Sequence, residues 1–300
     1  MQVSDLYYKK YLKYKNKYVN LQSQIGGGGP ITVLPNFVLN LEAKPRSVST
    51  QVLPLTQRTE QKLNININGN TYSEDMTTIQ ITKDFNDNDF LKFVRFLINI
   101  TNLKTLTLNN IIITVPRATL LVQFLISCKQ LETLNLFNNS MDNDGVVIIV
   151  SILNSFPNLT TFKISSNDIF NKGGSTIANF LSTNTSLTTL ELSRCAIGNI
   201  GGQAIANALS NNQSLTTLNI EWNSIGDPTF IAFVEALKSN SILINLNISY
   251  SNEPRSTNAY AQLANALTIN TTLQTLNIKG INQEKDIILF KEITRCKVII

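Results

Sequence analysis

From Leu103 onward a Leu-x-x-Leu-x-Leu signature returns every 28 residues. A chain with that period buries its apolar side chains by stacking one short unit on the next, because no single unit encloses a core. The successive triplets are Leu103/Leu106/Leu108, Leu131/Leu134/Leu136, Leu159/Phe162/Ile164, Leu187/Leu190/Leu192 and Leu215/Leu218/Ile220. Leu243/Leu246/Ile248 keeps the period, and Leu273/Leu276/Ile278 follows after 30 residues. A weaker copy, Met76/Ile79/Ile81, stands 27 residues ahead of the first. The alternation inside each triplet is that of a short strand with one face buried. About eight such units predict an α/β solenoid with a parallel sheet on one side and helices on the other.

Position nine of the signature holds Asn139, Asn167, Cys195 and Asn223. An inward asparagine there can bond the backbone groups released where the strand turns away, and buried polar groups need such partners. Ile111, Ser251 and Ile281 occupy the same slot in other units, which predicts less regular turns there. The second half of each unit carries a helical stripe. Leu125, Leu153, Leu181, Leu209, Leu237 and Leu267 follow Val122, Val150, Ala178, Ala206, Val234 and Ala264 by three residues, placing both on one helix face. Gly145, Gly173, Gly174, Gly201 and Gly202 precede or open several of these helices, and Pro228 suits a first helical turn.

The units SLTTLELSRCAIGNIGGQAIANALSNN (186–212) and SLTTLNIEWNSIGDPTFIAFVEALKSN (214–240) resemble leucine-rich repeats of the ribonuclease-inhibitor-like subclass. The resemblance covers roughly residues 73–300 and implies a horseshoe with a concave parallel sheet and convex helices. Its functional content is weaker: the subclass hosts inhibitors, sensors, GTPase activators and other binders on one scaffold.

Composition excludes several kinds of chemistry. The chain has no histidine, so Ser-His, Cys-His and His-metal sites are absent. Gly26–Gly29 is followed by Pro30, which removes a donor from any phosphate cradle. Cys128, Cys195 and Cys296 are odd in number and lack metal-like spacing, so buried apolar fillers are expected rather than disulfides or ligands. Asp142, Asn143 and Asp144 form a polar run that a turn into a helix requires in any case. No catalysis, cofactor, metal or small-molecule substrate is therefore expected. The longest apolar run, Val146–Leu153, is too short to span a bilayer, and no secretory segment opens the chain. The expected setting is soluble and intracellular.

Residues 1–29 differ in kind. Tyr7, Tyr11, Tyr14, Tyr18, Leu21 and Ile25 form one heptad seam on a helix starting near Ser4, flanked by Lys9, Lys10, Lys13, Lys15 and Lys17. Five lysines against Asp5 give this segment +4 of the chain's +5, leaving about +1 for residues 26–300. Three roles stay open for it: a cap or self-pairing helix, a sorting or processing tag, and a contact with nucleic acid or acidic membrane. The string YYKKYLKYKNKYVNL followed by glycines resembles N-termini of proteins from large DNA viruses of amoebae. That resemblance implies a viral protein in host cytoplasm, viral factory or virion. Residues 30–62 hold Pro30, Pro35, Pro45 and Pro54 and read as an extended linker. The repeat domain is expected over 63–300. Leu63, Ile65 and Ile67 would pair through an Asn68-Gly69-Asn70 turn with Met76/Ile79/Ile81, covering the first sheet edge. Cys296–Ile300 reads as one more strand start.

Outward positions three, five and seven of the strands are mostly small and polar, with Phe137, Glu191 and Glu221 among the exceptions. Position eight, at the strand exit, adds Arg194, Trp222 and Tyr250 on three consecutive units. Trp222 is the only tryptophan. Accessible aromatics and arginine are the residue types that carry interface energy, and strands ~4.8 Å apart place all three within ~10 Å. The alternative is that these rings only shield the loops entering the helices. Glu191 and Glu221 would select a basic partner, and the insertion SNEPRS (251–256) would extend the patch. The expected function is non-catalytic protein binding on the concave face. A virion or assembly component addressed by its N-terminal helix is the alternative, and regulation of a GTPase or other enzyme through Arg194 is the third.

Overall fold

The structure, a computed structural model, describes residues 63–250, 256–280, 290 and 296–300. The chain divides into two units, Met1–Arg58 and Thr59–Ile300, and every described residue belongs to the second. The Tyr/Lys helix with its cap Ser4, the glycine run, the proline-containing linker and most of the SNEPRS insertion lie outside the described residues.

A hairpin of β1 (Asn64–Ile67) and β2 (Asn70–Ser73) precedes the repeats. Seven strand–helix units follow: β3 (Thr78–Ile81) with α1 (Asp87–Leu97), β4 (Thr105–Leu108) with α2 (Val115–Leu125), and β5 (Thr133–Asn135) with α3 (Asn143–Val150). Next come β6 (Thr161–Lys163) with α4 (Phe170–Leu181), β7 (Thr189–Glu191) with α5 (Asn199–Asn211), and β8 (Thr217–Asn219) with α6 (Asp227–Ser239). β9 (Asn245–Asn247) with α7 (Thr257–Ile269), then β10 (Thr275–Asn277) and β11 (Lys297–Ile299), complete the series. Strands β3 to β11 form one nine-stranded parallel sheet in sequence order, each residue facing its counterpart one repeat away. The central residue of each repeat strand, from Leu134 to Leu276, is buried, and its two neighbours are half-buried on the open face. The stripe leucines are likewise buried, although Leu153 sits in a 3-10 turn because α3 ends at Val150.

Two ladders of asparagine tie the units together. Asn167 donates to the carbonyls of Leu136 and Ile164 (2.9 and 2.8 Å) and accepts from the N–H groups of Asn139 and Met141. Asn223 repeats this toward Leu192, Ile220, Cys195 and Ile197. Each side chain thus satisfies backbone groups of its own turn and of the turn before it, which is how a buried irregular segment avoids orphaned polar atoms. Ile111 does not disturb its turn, contrary to the sequence expectation, because Asn139 of the next unit accepts its N–H (2.8 Å). Ser251 and Ile281 lie outside the described residues. The second ladder, Asn184, Asn212, Asn240 and Asn270, stands where the helices end. Asn240 donates to the carbonyls of Leu209 and Asn212 and accepts from the N–H of Leu243.

The helix layer is closely packed between α4 and α5. A Cβ at Gly174 would lie 3.0 Å from the Cα of Gly201, so the two backbones approach within the space a side chain would need.

At the N-terminal end the hairpin differs from expectation. The returning strand is Asn70–Ser73, and Met76/Ile79/Ile81 opens the main sheet instead. Five residues between the turn and Met76 give the chain room for a short second arm before it enters the parallel sheet. The hairpin does meet the first edge: the Tyr72 hydroxyl donates to the Gln80 carbonyl (3.1 Å), and Asn68 donates to that of Lys83 (3.0 Å). Behind it Arg117 is buried, bonded to Asp84, Asp87 and the carbonyls of Phe85 and Ile112, with its guanidinium 5.0 Å from the Phe90 ring centre. At the other end β11 pairs in parallel with β10, as Cys296–Ile300 predicts.

Candidate functional site

Strands β4 to β10 each exit through a residue in the left-handed region, at position eight of the signature. Asn110, Asn138, Ser166, Arg194, Trp222 and Tyr250 have φ of 58°, 55°, 58°, 54°, 54° and 51°, and Gly280 follows at 104°. The N–H of each of the first six donates to a carbonyl at position seven of the next unit, as Trp222 does to Ser249 (3.1 Å) and Tyr250 to Lys279 (2.9 Å). The geometry is therefore a property of the repeat and not of any one side chain. Glycine and asparagine suit it, whereas a bulky L-residue there costs ~1–2 kcal/mol.

Three consecutive units place bulky residues in that slot, and the structure brings all three together. The Trp222 and Tyr250 rings stack with centroids 4.6 Å apart and planes 15° from parallel. The Arg194 guanidinium lies on the other face of the stack, 5.2 Å from the Trp222 ring centre. Stacking returns ~0.5–1.5 kcal/mol and an exposed cation–π contact ~0.5–1 kcal/mol. The gains fall short of the backbone cost summed over three such residues, so the trio has no stability advantage over asparagine. Trp222 keeps 44% of its surface exposed, and Arg194 is exposed as well. Strain retained without a stability return is the pattern of a functional position.

The stack stands three residues beyond the ends of β7, β8 and β9, on the rim of the sheet and not on its open face. The two glutamates lie on the face itself. Glu221 accepts from the Asn247 amide (2.8 Å) and the Ser249 hydroxyl (3.3 Å), while Glu191 pairs with Lys163 at 4.0 Å. Phe137 is 40% exposed but belongs to the unit two before that of Arg194 and is not part of the stack. Lys279, exposed at position seven of the unit after Tyr250, is a neighbour that the sequence pattern alone did not single out.

No reactive nucleophile or metal cluster emerges among the described residues. Burial pushes the Cys195 thiol up to about 12, and those of Cys128 and Cys296 up to about 11. The Asp142 side chain caps α3 through the Gly145 N–H, and Asp144 pairs with Lys172 at 2.7 Å. Burial, with Asp142 nearby, holds the Asp168 carboxyl above its ordinary range. No group of three acidic, cysteine or histidine residues could hold a metal ion among the described residues, and none of their helices is long and apolar enough to cross a membrane.

A leucine-rich-repeat family model matches residues 157–178, 183–206 and 211–228. No curated protein matches the sequence. Among solved structures, actin-binding site 2 of leiomodin-1 is similar at 23% identity and a TM-score of 0.43, over 49% of this chain and 83% of that one. The tropomodulin C-terminal domain of Caenorhabditis elegans is similar at 16% identity and a TM-score of 0.41, over 47% and 85%. An internalin of Listeria monocytogenes is similar at 20% identity and a TM-score of 0.42, over 68% and 49%. Repeat period, parallel register and matched stretches agree: the described part of this chain is a leucine-rich-repeat solenoid.

Proposed function

We propose that this protein is a non-catalytic, protein-binding scaffold whose recognition surface centres on the strand-exit rim at Arg194, Trp222 and Tyr250. The observation that carries the reading is the exposed stack itself, three bulky side chains held in a backbone slot that asparagine fills elsewhere in the same column. An exposed tryptophan and arginine with a half-buried tyrosine in one cluster are the composition of an interface hot spot. Glu191, Glu221 and Phe137 are secondary contacts along the adjoining sheet face. The 28-residue unit with its convex helix favours the ribonuclease-inhibitor-like subclass.

A second role belongs to residues 1–29, whose +4 charge and tyrosine seam set them apart from the nearly neutral remainder. Their composition supports an address within a virus-infected cell or a virion, where the protein is an assembly component and the solenoid a spacer. Regulation of a GTPase or another enzyme through Arg194 is the third reading.

Affinity capture from the native cell with the intact chain tests the first reading against the second. A specific partner retained by the parent and by a chain lacking residues 1–29, and lost from the Arg194→Ala/Trp222→Ala double variant, supports the rim. Partners that follow residues 1–29 and ignore the double variant refute it.

A further inference from the structure

The charges around the rim are not equivalent. Glu191 is paired with Lys163, and Glu221 is held by Asn247 and Ser249, so both carboxylates are turned to neighbours on the sheet face. Among the described residues Arg194 makes no ion pair and no side-chain hydrogen bond, and its guanidinium lies over the face of Trp222. Lys279, beyond Tyr250, is likewise exposed and without an ion pair among the described residues. The aromatic pair is therefore bracketed by two uncommitted cations, whereas the sequence pattern suggested acidic selection of a basic partner.

The column leaves both ends of the stack open. Ser166 precedes Arg194 and Gly280 follows Tyr250 at position eight, so neither neighbouring rung carries a side chain large enough to continue it. A guanidinium held flat on an indole keeps its planar fork of donors pre-organised, which lowers the entropy cost of engaging a carboxylate through two bonds. Both faces of Trp222 are covered by Arg194 and Tyr250, which leaves the indole edge for apolar contact and no indole face for a stacked base.

We infer that the rim takes an acidic segment of a partner protein, a carboxylate engaging the free donors of Arg194 while an apolar neighbour packs on the exposed edge of Trp222. This rests on the rim being the protein-binding surface. Lys279 extends the positive character along the next unit and favours a segment carrying more than one acid.

The single tryptophan makes the site report on itself. A displayed library of random peptides is selected on the intact chain, and each recovered peptide is titrated against it with Trp222 emission as the readout. Peptides that shift the emission to saturation are expected to be acidic, and replacing their Asp and Glu by Asn and Gln is expected to weaken them about tenfold or more. Arg194→Gln is expected to weaken the acidic peptides by a similar factor and to leave their amide counterparts unchanged. Arg194→Asn, with a residue that already fits this slot at Asn110 and Asn138, repeats the measurement in a chain whose turn is preserved. Arg194→Lys is expected to recover only part of the loss, because charge returns without the fork. Neutral or basic peptides that saturate the Trp222 signal overturn the acidic partner and leave the rim as a binding surface. Preference of the same site for a single-stranded RNA oligonucleotide also overturns it, in favour of nucleic acid. A library that yields no peptide able to move Trp222 emission overturns both.

Discussion

Asn110 and Asn138 occupy the same turn as Trp222 and Tyr250, at φ values within a few degrees, yet the two ends of this column are built differently. In the first, the Asn138 amide donates to the Asn110 side chain at 2.7 Å, and residues suited to left-handed backbone bond one another. In the second, an arginine and two rings are forced into the same conformation and hold each other only by stacking. A repeat protein offers its own control here, because the backbone task is identical and only the side chains change. Where fold alone decides, the slot holds asparagine or serine. Where it holds Arg-Trp-Tyr, something other than the turn has set the choice.

The largest expected effect comes from the buried column one residue along. Asn167→Ala removes the partner of two carbonyls and two N–H groups at once, and each buried orphan costs ~1–3 kcal/mol. A loss of ~3 kcal/mol or more is expected from denaturant unfolding, against a small effect for substitutions on the rim. Gly174→Val tests the helix layer: the added side chain meets the Gly201 backbone, so a loss of ~1–3 kcal/mol is expected and relaxation is limited. Moving a bulky residue into the other half sharpens the comparison further. Asn138→Trp places an indole in the slot with no neighbouring ring to stack on, and a cost of ~1–2 kcal/mol with no gain in partner affinity is expected.

A pH dependence is confined to alkaline conditions. The three thiols titrate near 9 when free and are pushed up to about 11 to 12 by burial. A folded pKa above the unfolded one gives stability that is complete below pH 9 and falls as pH rises through the folded values. The unfolding midpoint is therefore expected to drop above pH 9, and Cys195→Ala to flatten that slope.

Much of this fold is legible in the sequence because stacking converts a 28-residue period directly into register. Leu106, Leu134 and Leu190 are inward for the same reason, and one correct strand assigns the rest. The ladder of Asn139, Asn167 and Asn223 follows from the same periodicity. Its counterpart at Asn184, Asn212, Asn240 and Asn270 was equally visible as a recurring asparagine after each helix, but polar residues at a helix end ordinarily read as solvated turns. Arg117 was not legible: an arginine in a helix pattern reads as exposed, and its acidic partners lie 30 and 33 residues away in sequence. At the rim, spacing placed Arg194, Trp222 and Tyr250 on neighbouring units, but stacking depends on backbone dihedrals that residue types do not announce. Nor did spacing show that Glu191 and Glu221 are engaged while Arg194 has no ion pair among the described residues.

One substitution separates the two pressures most directly. Trp222→Asn gives the slot the residue that its earlier copies use, removing the strain together with the stack. Measuring unfolding midpoint and partner affinity side by side on the intact chain should show stability changed by less than ~1 kcal/mol, because the two losses offset. Affinity should fall by ~2 kcal/mol or more if Trp222 is a central anchor. Unchanged affinity with a fall in stability of several kcal/mol would mean that the ring serves the fold, and the account of the rim as a recognition surface would be wrong.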